Sequence, residues 1–422
     1  MGWIELAILA AIAPWFVFPQ TNVTPWLMWI PVGLWGLRWA STGQVTRVSS
    51  LNPPLLGILI MVGVSQIASY DAVHSFPKTV AVFYGVVVVN ALGNHLRGRR
   101  AIRWFVSALV LTGLALAAVS LLGTRWPGDA KLPSWGTGLA AVYDRLPALI
   151  KGLPRADRGF SSNQVGGTLA FLVPLQAAVW LYAPRKTFRR VLWRFLMGAT
   201  LAVTASVLLL TLSRTAIASV TISLWGLFLL SGREATRTSK IALAIALILA
   251  TLIVISLGMT FVDDKGWNDS LSLDGRIEIW HRAWRVLVDH PLTGIGFDNL
   301  PAIVHVRYPM FLISPQTDFA HAHNLFLQVA LDLGIPGGIA FVALLLNVAY
   351  LLVLSYRGSE QALYKATALG LLLGLVAHIL FGVLDAIALG QKPGILLWLY
   401  IGLADVLHAT VSTEQKAGDS AH

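Results

Sequence analysis

Apolar residues along this chain gather into long runs, parted by short clusters of Arg, Lys, Gly and Pro. The runs recur at about 20 residues, the length at which a helix crosses the hydrocarbon core of a bilayer. They occupy positions 3–18, 24–39, 54–70, 78–94, 101–123, 165–183, 193–212, 215–231, 240–260, 324–355, 362–384 and 393–410. The pattern predicts an all-α polytopic membrane protein of about twelve transmembrane helices. The tenth run is too long for one simple span. Gly334, Pro336, Gly337 and Gly338 interrupt it, predicting a short helix that leads into the full span.

Two polar interruptions, 124–164 and 261–323, are too long to be turns. They divide the chain into five helices (1–123), a loop (124–164), four helices (165–260), a large loop containing helices (261–323), three helices (324–410) and a tail (411–422). The tail is polar from Ser412 to His422 and is expected to be disordered. No fixed-period internal repeat stands out.

Composition agrees with this picture. Of the 422 residues, 56% are hydrophobic and 12% charged, more apolar surface than a water-soluble chain of this length can hide. Several of the 16 Trp residues (Trp3, Trp15, Trp26, Trp39, Trp126) lie near run ends, as interfacial anchors do. The absence of cysteine excludes disulfides and thiolate metal sites. The run from Trp3 to Phe18 has no basic leader and no small-residue cleavage site, so it reads as a retained first span.

The formal charge of +11 would point to nucleic acid in a soluble protein. Here the cations sit between apolar runs, which is a membrane-orientation signal, so no nucleic-acid partner is expected. One alternating set of connections holds Arg38, Arg47, Arg97, Arg99, Arg100, Arg103, Arg185, Lys186, Arg189, Arg190, Arg194, Arg233, Arg237, Lys240, Arg357 and Lys365. The opposite short connections hold little beyond Lys78, Arg214 and Lys392. The positive-inside rule places the first set and both termini in the cytoplasm, and both large loops outside.

Candidate chemistry then collects on the outer side. Ser213-Arg214-Thr215 interrupts an apolar stretch from Val191 to Leu230, marking a tight turn. Arg214 there either faces a watery or protein-lined cavity or snorkels to the interface. In the second loop, Asp274-Gly275-Arg276 precedes Ile277, Trp280, Trp284 and Leu287 at helical spacing. A helix is expected to start near Asp274, with Asp274 as a possible N-cap and Arg276 in the first turn. That Arg could meet an anion, or pair with Glu278 or Asp289 on a solvated face. The turn-rich segment His290 to Phe297 reads as architectural. Asp263-Asp264 lacks an obvious third acidic ligand and reads as an ordinary loop pair.

His321-Ala322-His323-Asn324 stands just before the tenth run. Two histidines two residues apart are not a metal pair at helical spacing. Either could act as a general base near neutral pH. His74, His281, His290, His305, His378 and His408 have no comparable setting. Two guanidinium groups suit a diphosphate and an imidazole suits deprotonation of a sugar hydroxyl. Together they imply a lipid diphosphate presented from the outer leaflet.

An ordered set of motifs resembles the O-antigen ligase and polymerase superfamily of bacterial envelopes. It comprises Asn163-Gln164, Ser213-Arg214-Thr215-Ala216, Gly275-Arg276 with Trp280, His290-Pro291-Leu292-Thr293-Gly294-Ile295-Gly296, His323-Asn324-Leu325 and Leu333-Gly334-Ile335-Pro336-Gly337. The resemblance covers roughly 160 to 390, and the first five spans match only in hydropathy. It implies an inner-membrane glycosyltransferase of the C-type membrane fold, independent of metal and of other cofactors. Such an enzyme moves O-antigen glycan from undecaprenyl diphosphate to the lipid A–core oligosaccharide at the periplasmic face, with inversion. On this chain the resemblance makes His323 the general base and Arg214 and Arg276 the groups that hold the leaving diphosphate. Asn163, His321 and Asn324 are expected to contact substrate. Thr215 stands where many relatives have Gly, and Asp332 where many have Glu; neither change removes a proposed catalytic group.

Chain length, span number and the size of the second loop favour a ligase over a polymerase. A ligase acting on protein is a further alternative, although such enzymes often carry an added soluble domain. A transporter of the same lipid-linked glycan would place cations inside the spans and use inverted repeats, neither of which is seen.

Overall fold

The computed structural model describes residues 2–20, 22–126, 140–143, 145–146, 159–182, 188–231, 237–263, 273–313, 319–387 and 389–419. Arg185, Lys186, Arg233, Asp264 and much of the 124–164 loop lie outside the described residues.

Each apolar run carries helix. In chain order these are α1 (Gly2–Val17), α2 (Thr24–Leu27), α3 (Trp29–Thr42), α4 (Asn52–Ile67), α5 (Ala72–His95), α6 (Gly98–Gly123), α7 (Ala140–Tyr143), α8 (Ser162–Tyr182), α9 (Phe188–Leu210), α10 (Arg214–Leu230), α11 (Arg237–Asp263), α12 (Leu273–Asp289), α13 (Leu300–Arg307), α14 (Leu325–Gly358), α15 (Ala362–Leu384) and α16 (Ile395–Asp419). Among the described residues eight helices are long and apolar enough to cross a membrane: α5, α6, α8, α9, α11, α14, α15 and α16. The chain is thus a multi-pass membrane protein. The expected second span is divided into α2 and α3, and α1, α4 and α10 are shorter apolar helices. The polar tail expected to be disordered is instead helical as far as Asp419, because α16 simply continues past Ser412. Asp274 lies inside the first turn of α12 and not before it.

The chain forms two compact units. The first comprises Met1–Ile102, Gly266–Leu351 and Asp385–His422. In it α5 packs against α1, α4 and α16. Gly85 lets α5 meet the indole of Trp398 face on, since a Cβ there would lie 2.3 Å from the ring. Several charges in this unit are paired. Arg47 donates to Asp405 at 2.8 Å, Arg38 pairs with Glu5, His95 meets Glu5 at 2.6 Å, and Lys78 pairs with Asp298.

The α14 helix breaks where the sequence predicted. Gly334 has φ 75 and ψ 171, outside helical geometry. The 290–297 turn docks on this break: the N–H of Ile295 donates to Leu331 O at 2.8 Å, and that of Ile335 to Pro291 O at 2.7 Å. Gly294 and Gly334 approach backbone to backbone, each with a left-handed φ that favours glycine. The reading of 290–297 as architectural therefore holds.

The second unit comprises Arg103–Lys265 and Leu352–Leu384. Its centre is α8, buried along nearly its whole length between α9, α10 and α15. Gly370 of α15 comes against Leu175 and Ala178 of α8, the small-residue approach that membrane helices use where water supplies no driving force. A two-residue parallel pairing of β1 (Thr124–Arg125) with β2 (Phe160–Ser161) brings the end of α6 beside the start of α8. On α11 the side chains of Ile241, Ile245, Ile248, Leu252 and Ile255 form an exposed apolar stripe, as expected of a lipid-facing helix.

Candidate functional site

In the first unit the segment 319–324 is held from several directions before α14 begins. The peptide of Ala322 is gripped at both ends: its oxygen accepts from Trp280 Nε1 at 2.8 Å and its N–H donates to Gln328 Oε1 at 2.7 Å. Gln328 Nε2 donates in turn to Asp332 Oδ1 at 2.7 Å, and Ser65 Oγ to the Asp332 carbonyl. Asn324 caps the helix, its Oδ1 accepting the N–H of Leu327 at 3.0 Å. Asn324 is thus first of all a capping residue.

This clamping lets His323 hold a φ of 48, a conformation that non-glycine residues adopt at a cost of order 1–2 kcal/mol. With this left-handed turn the two imidazoles stand side by side, their ring centroids 4.5 Å apart. Both face Asp385, which follows directly after α15: His323 Nδ1 stands 3.3 Å and His321 Nε2 3.6 Å from its Oδ1. All three residues are buried, at 4% exposure for His321, 7% for His323 and 3% for Asp385.

The electrostatics follow from burial and this shared carboxylate. Burial pushes the Asp385 pKa up. The His323 side chain, the His321 imidazole and the N–H of Ala386 outweigh it and hold the acid below the ordinary carboxylate range. Burial pushes the His321 pKa down to about 4. His321 is accordingly neutral near pH 7. A carboxylate beside Nδ1 of His323 favours the proton on that nitrogen, leaving the lone pair on Nε2. The His323 contact is within ion-pair reach but is not aligned as a hydrogen bond.

His321, His323 and Asp385 offer potential metal-ligand atoms within 4.8 Å of one another. The tautomers argue for a proton network. Nδ1 of His321 already accepts the backbone N–H of His323 at 3.1 Å, so a neutral ring carries its proton on Nε2 and has no second lone pair to offer an ion. Asp263 ends α11, and its neighbour Asp264 lies outside the described residues.

Arg276 is buried in the first turn of α12, one turn before Trp280 and on the same helical face. Its neighbour Glu278 is turned inward. The Glu278 carboxylate accepts the N–H groups of Phe311, Leu312 (2.8 Å) and Ile313 (3.0 Å), tying α12 to the returning strand of the loop. The cation beside Glu278 is Arg282, at 3.7 Å. Asp289 accepts from the Tyr308 hydroxyl.

Two predicted residues lie in the second unit. Arg214 is the first residue of α10, half-buried, after a turn in which Leu212 has φ 48. Ser213, at the N-cap position, is buried, makes no capping bond, and its hydroxyl has no hydrogen-bond partner among the described residues. The turn rests on α8 at Gly166, where a Cβ would come within 2.8 Å of Ser213 Cβ and 2.9 Å of Thr211 Oγ1. Asn163 stands one turn earlier on the same face of α8, half-exposed. The structure therefore associates His321 and His323 with Asp385, and places Asn163 on the face of α8 that carries Gly166.

Asp385 is the residue that motif reading missed. Its signal was available: an acid at the end of an apolar run, which in a membrane protein warrants a functional reading. The Lys78–Asp298 pair was also missed; it fixes the 290–299 turn against the start of α5, where Ser75 Oγ donates to Phe297 O at 2.8 Å.

Residues 199–342 match a family model described as O-antigen ligase. The matched segment contains Arg214, Arg276, His321, His323 and Asn324, and is narrower than the motif resemblance, leaving Asn163 and Asp385 outside. No curated protein matches the chain.

Proposed function

We propose that this membrane protein, whose residues 199–342 match the O-antigen ligase family model, belongs to that family and is the ligase itself. It would transfer O-antigen glycan from undecaprenyl diphosphate to a sugar hydroxyl of lipid A–core, at the periplasmic face of a bacterial inner membrane. Both termini would be cytoplasmic, in keeping with the Lys and Arg bias of the connections.

The observation that carries the reading is the buried contact between Asp385 and Nδ1 of His323. It suits Nε2 of His323 to general-base work. The acceptor hydroxyl gives its proton to Nε2 while its oxygen attacks the anomeric carbon. The bond from that carbon to the diphosphate oxygen breaks, and undecaprenyl diphosphate leaves with the electron pair. Attack from the face opposite the leaving group inverts the anomeric configuration. Arg214 and Arg276 are assigned to the diphosphate, because guanidinium forks match phosphate oxygens and stabilise the charge that grows on the leaving group. Cationic side chains in this role make a metal unnecessary, and the tautomers at His321 support the same reading. The C-type membrane fold is part of the proposal.

The test is reconstitution. Purified protein in liposomes, given lipid-linked O-antigen and lipid A–core with EDTA present, should form covalently extended lipopolysaccharide. Extension of the lipid-linked glycan alone, with no transfer to core, would identify a polymerase and overturn the ligase reading; movement of donor across the bilayer without transfer would identify a transporter.

A further inference from the structure

His321 poses a separate chemical problem from His323. Its Nδ1 accepts the backbone N–H of His323 at 3.1 Å, and its Nε2 lies 3.6 Å from Asp385 Oδ1. A ring nitrogen that accepts from an N–H keeps its lone pair there, so the proton of the neutral ring sits on the other nitrogen, facing the carboxylate. One nitrogen is bonded to main chain and the other turns its proton toward an acid, so the neutral ring has no free lone pair to take a proton from substrate.

The main-chain bond has a geometric consequence. In an extended chain, residues two apart already line one face, about 6–7 Å apart along it; the closer approach here, with ring centroids 4.5 Å apart, goes with a bend at the second. That bend is the left-handed φ of 48 at His323, and the acceptor nearest its N–H is His321 Nδ1. Local side-chain-to-backbone bonds of this kind stabilise turns against extended alternatives.

We propose that His321 is a positioning residue: it fixes the left-handed turn that aims His323 and shares the Asp385 carboxylate, without touching the reacting atoms. The inference deepens the proposed function and rests on His323 being the base there. It also gives His321 a role other than contact with substrate. The charged and titratable groups around it are Asp385, His323, Lys78 and Asp298. Of these, only Asp385 is shared with His323.

The two jobs can be separated by substitution. In His321→Asn the amide oxygen can occupy the place of Nδ1 and keep the bond to the His323 N–H, but the donor to Asp385 is lost. In His321→Phe the ring remains and both jobs are lost. Transfer by the full-length protein in liposomes, measured across pH, reads both. For His321→Asn, kcat should fall roughly 10-fold, with KM for donor and acceptor nearly unchanged. Its acidic limb should move, because the ring that shares the Asp385 carboxylate with His323 is gone. For His321→Phe, kcat should fall about 100-fold. Thermal melting of each purified variant checks that it is folded.

Suppose His323→Ala is inactive while His321→Phe keeps wild-type kcat and an unmoved limb. The positioning role is then wrong and the base assignment survives. If His321→Asn and His321→Phe are both as inactive as His323→Ala although folded, His321 handles the proton itself and the proposal fails. Normal transfer by His323→Ala would remove the base assignment, and this inference with it.

Discussion

The two parts of the candidate machinery are built in opposite ways. The Arg214 turn is local: Thr211, Leu212, Ser213 and Arg214 are consecutive, and α10 starts where they end. The His323 centre draws on distant chain. Trp280 comes from α12, Gln328 from α14, and Asp385 from beyond α15. A guanidinium at a helix start can meet an anion over a range of angles, since charge attraction is not strongly directional. A base must present one lone pair along one line, so its orientation has to be imposed by partners on its other nitrogen and its backbone. The contrast predicts that the Arg214 turn tolerates motion in the proposed anion-holding role and that the His323 centre does not tolerate it in the proposed proton-accepting role.

The sharpest break of this contrast is His323→Ala. It should cut transfer by about 10³-fold or more, with expression and donor binding retained, as measured with lipid-linked donor and lipid A–core. Retained ligation would refute the general-base role. Asp385→Asn comes next. It keeps the volume but offers His323 an amide in place of a carboxylate, so turnover should drop about 100-fold with little change in either KM. An effect confined to donor KM would place Asp385 on the anion side instead.

At the other end, Gly166→Ala inserts a methyl group where Ser213 Cβ would be only 2.8 Å away. The Arg214 turn must then shift. Donor KM should rise about 10-fold, in the same direction as Arg214→Ala and by less, while the pH profile set by His323 stays put. A moved acidic limb in Gly166→Ala would mean that the two ends are not separable in this way.

The smallest effect is on stability. The His321 pKa, near 6.5 in an unfolded chain, is pushed down to about 4 by burial. The contribution of the neutral ring to folding is therefore fully present above about pH 6.5 and is lost as pH falls toward 4, because the unfolded chain binds a proton that the folded one resists. Asp385, held below the usual carboxylate range, does not add to this loss until the pH is lower still. Melting temperature should decline from pH 7 to pH 5 in the wild type and less steeply in His321→Asn. Equal slopes would remove His321 as the cause.

How much of this was legible in the sequence depends on whether a feature is local. Hydropathy located every helix-bearing run, and the break at Gly334 was readable because glycine and proline disrupt a helix wherever it packs. The count of full-length spans was not, since a run such as 215–231 has the composition of a span but α10 stops at Leu230 after 17 residues. The disordered tail was misjudged because polarity alone does not unwind a helix already propagating from α16. Arg214, Arg276 and His323 were singled out by motif. The convergence of His321 and His323 on one carboxylate was missed because that carboxylate comes from beyond α15. Asp385 escaped because nothing near it in the chain announces its partner.

The seam between Gly294 and Gly334 has a consequence for inheritance. A side chain on Gly294 would strike the Leu331 and Asp332 carbonyls, and one on Gly334 would strike Leu292. Each collides with main chain, so there is no bulky neighbour that a compensating change could trim. The His290 to Gly296 turn and the Leu333 to Gly337 break are therefore a matched pair. A chimaera that takes one from this chain without the other would lose the foundation on which the His321–His323 segment stands.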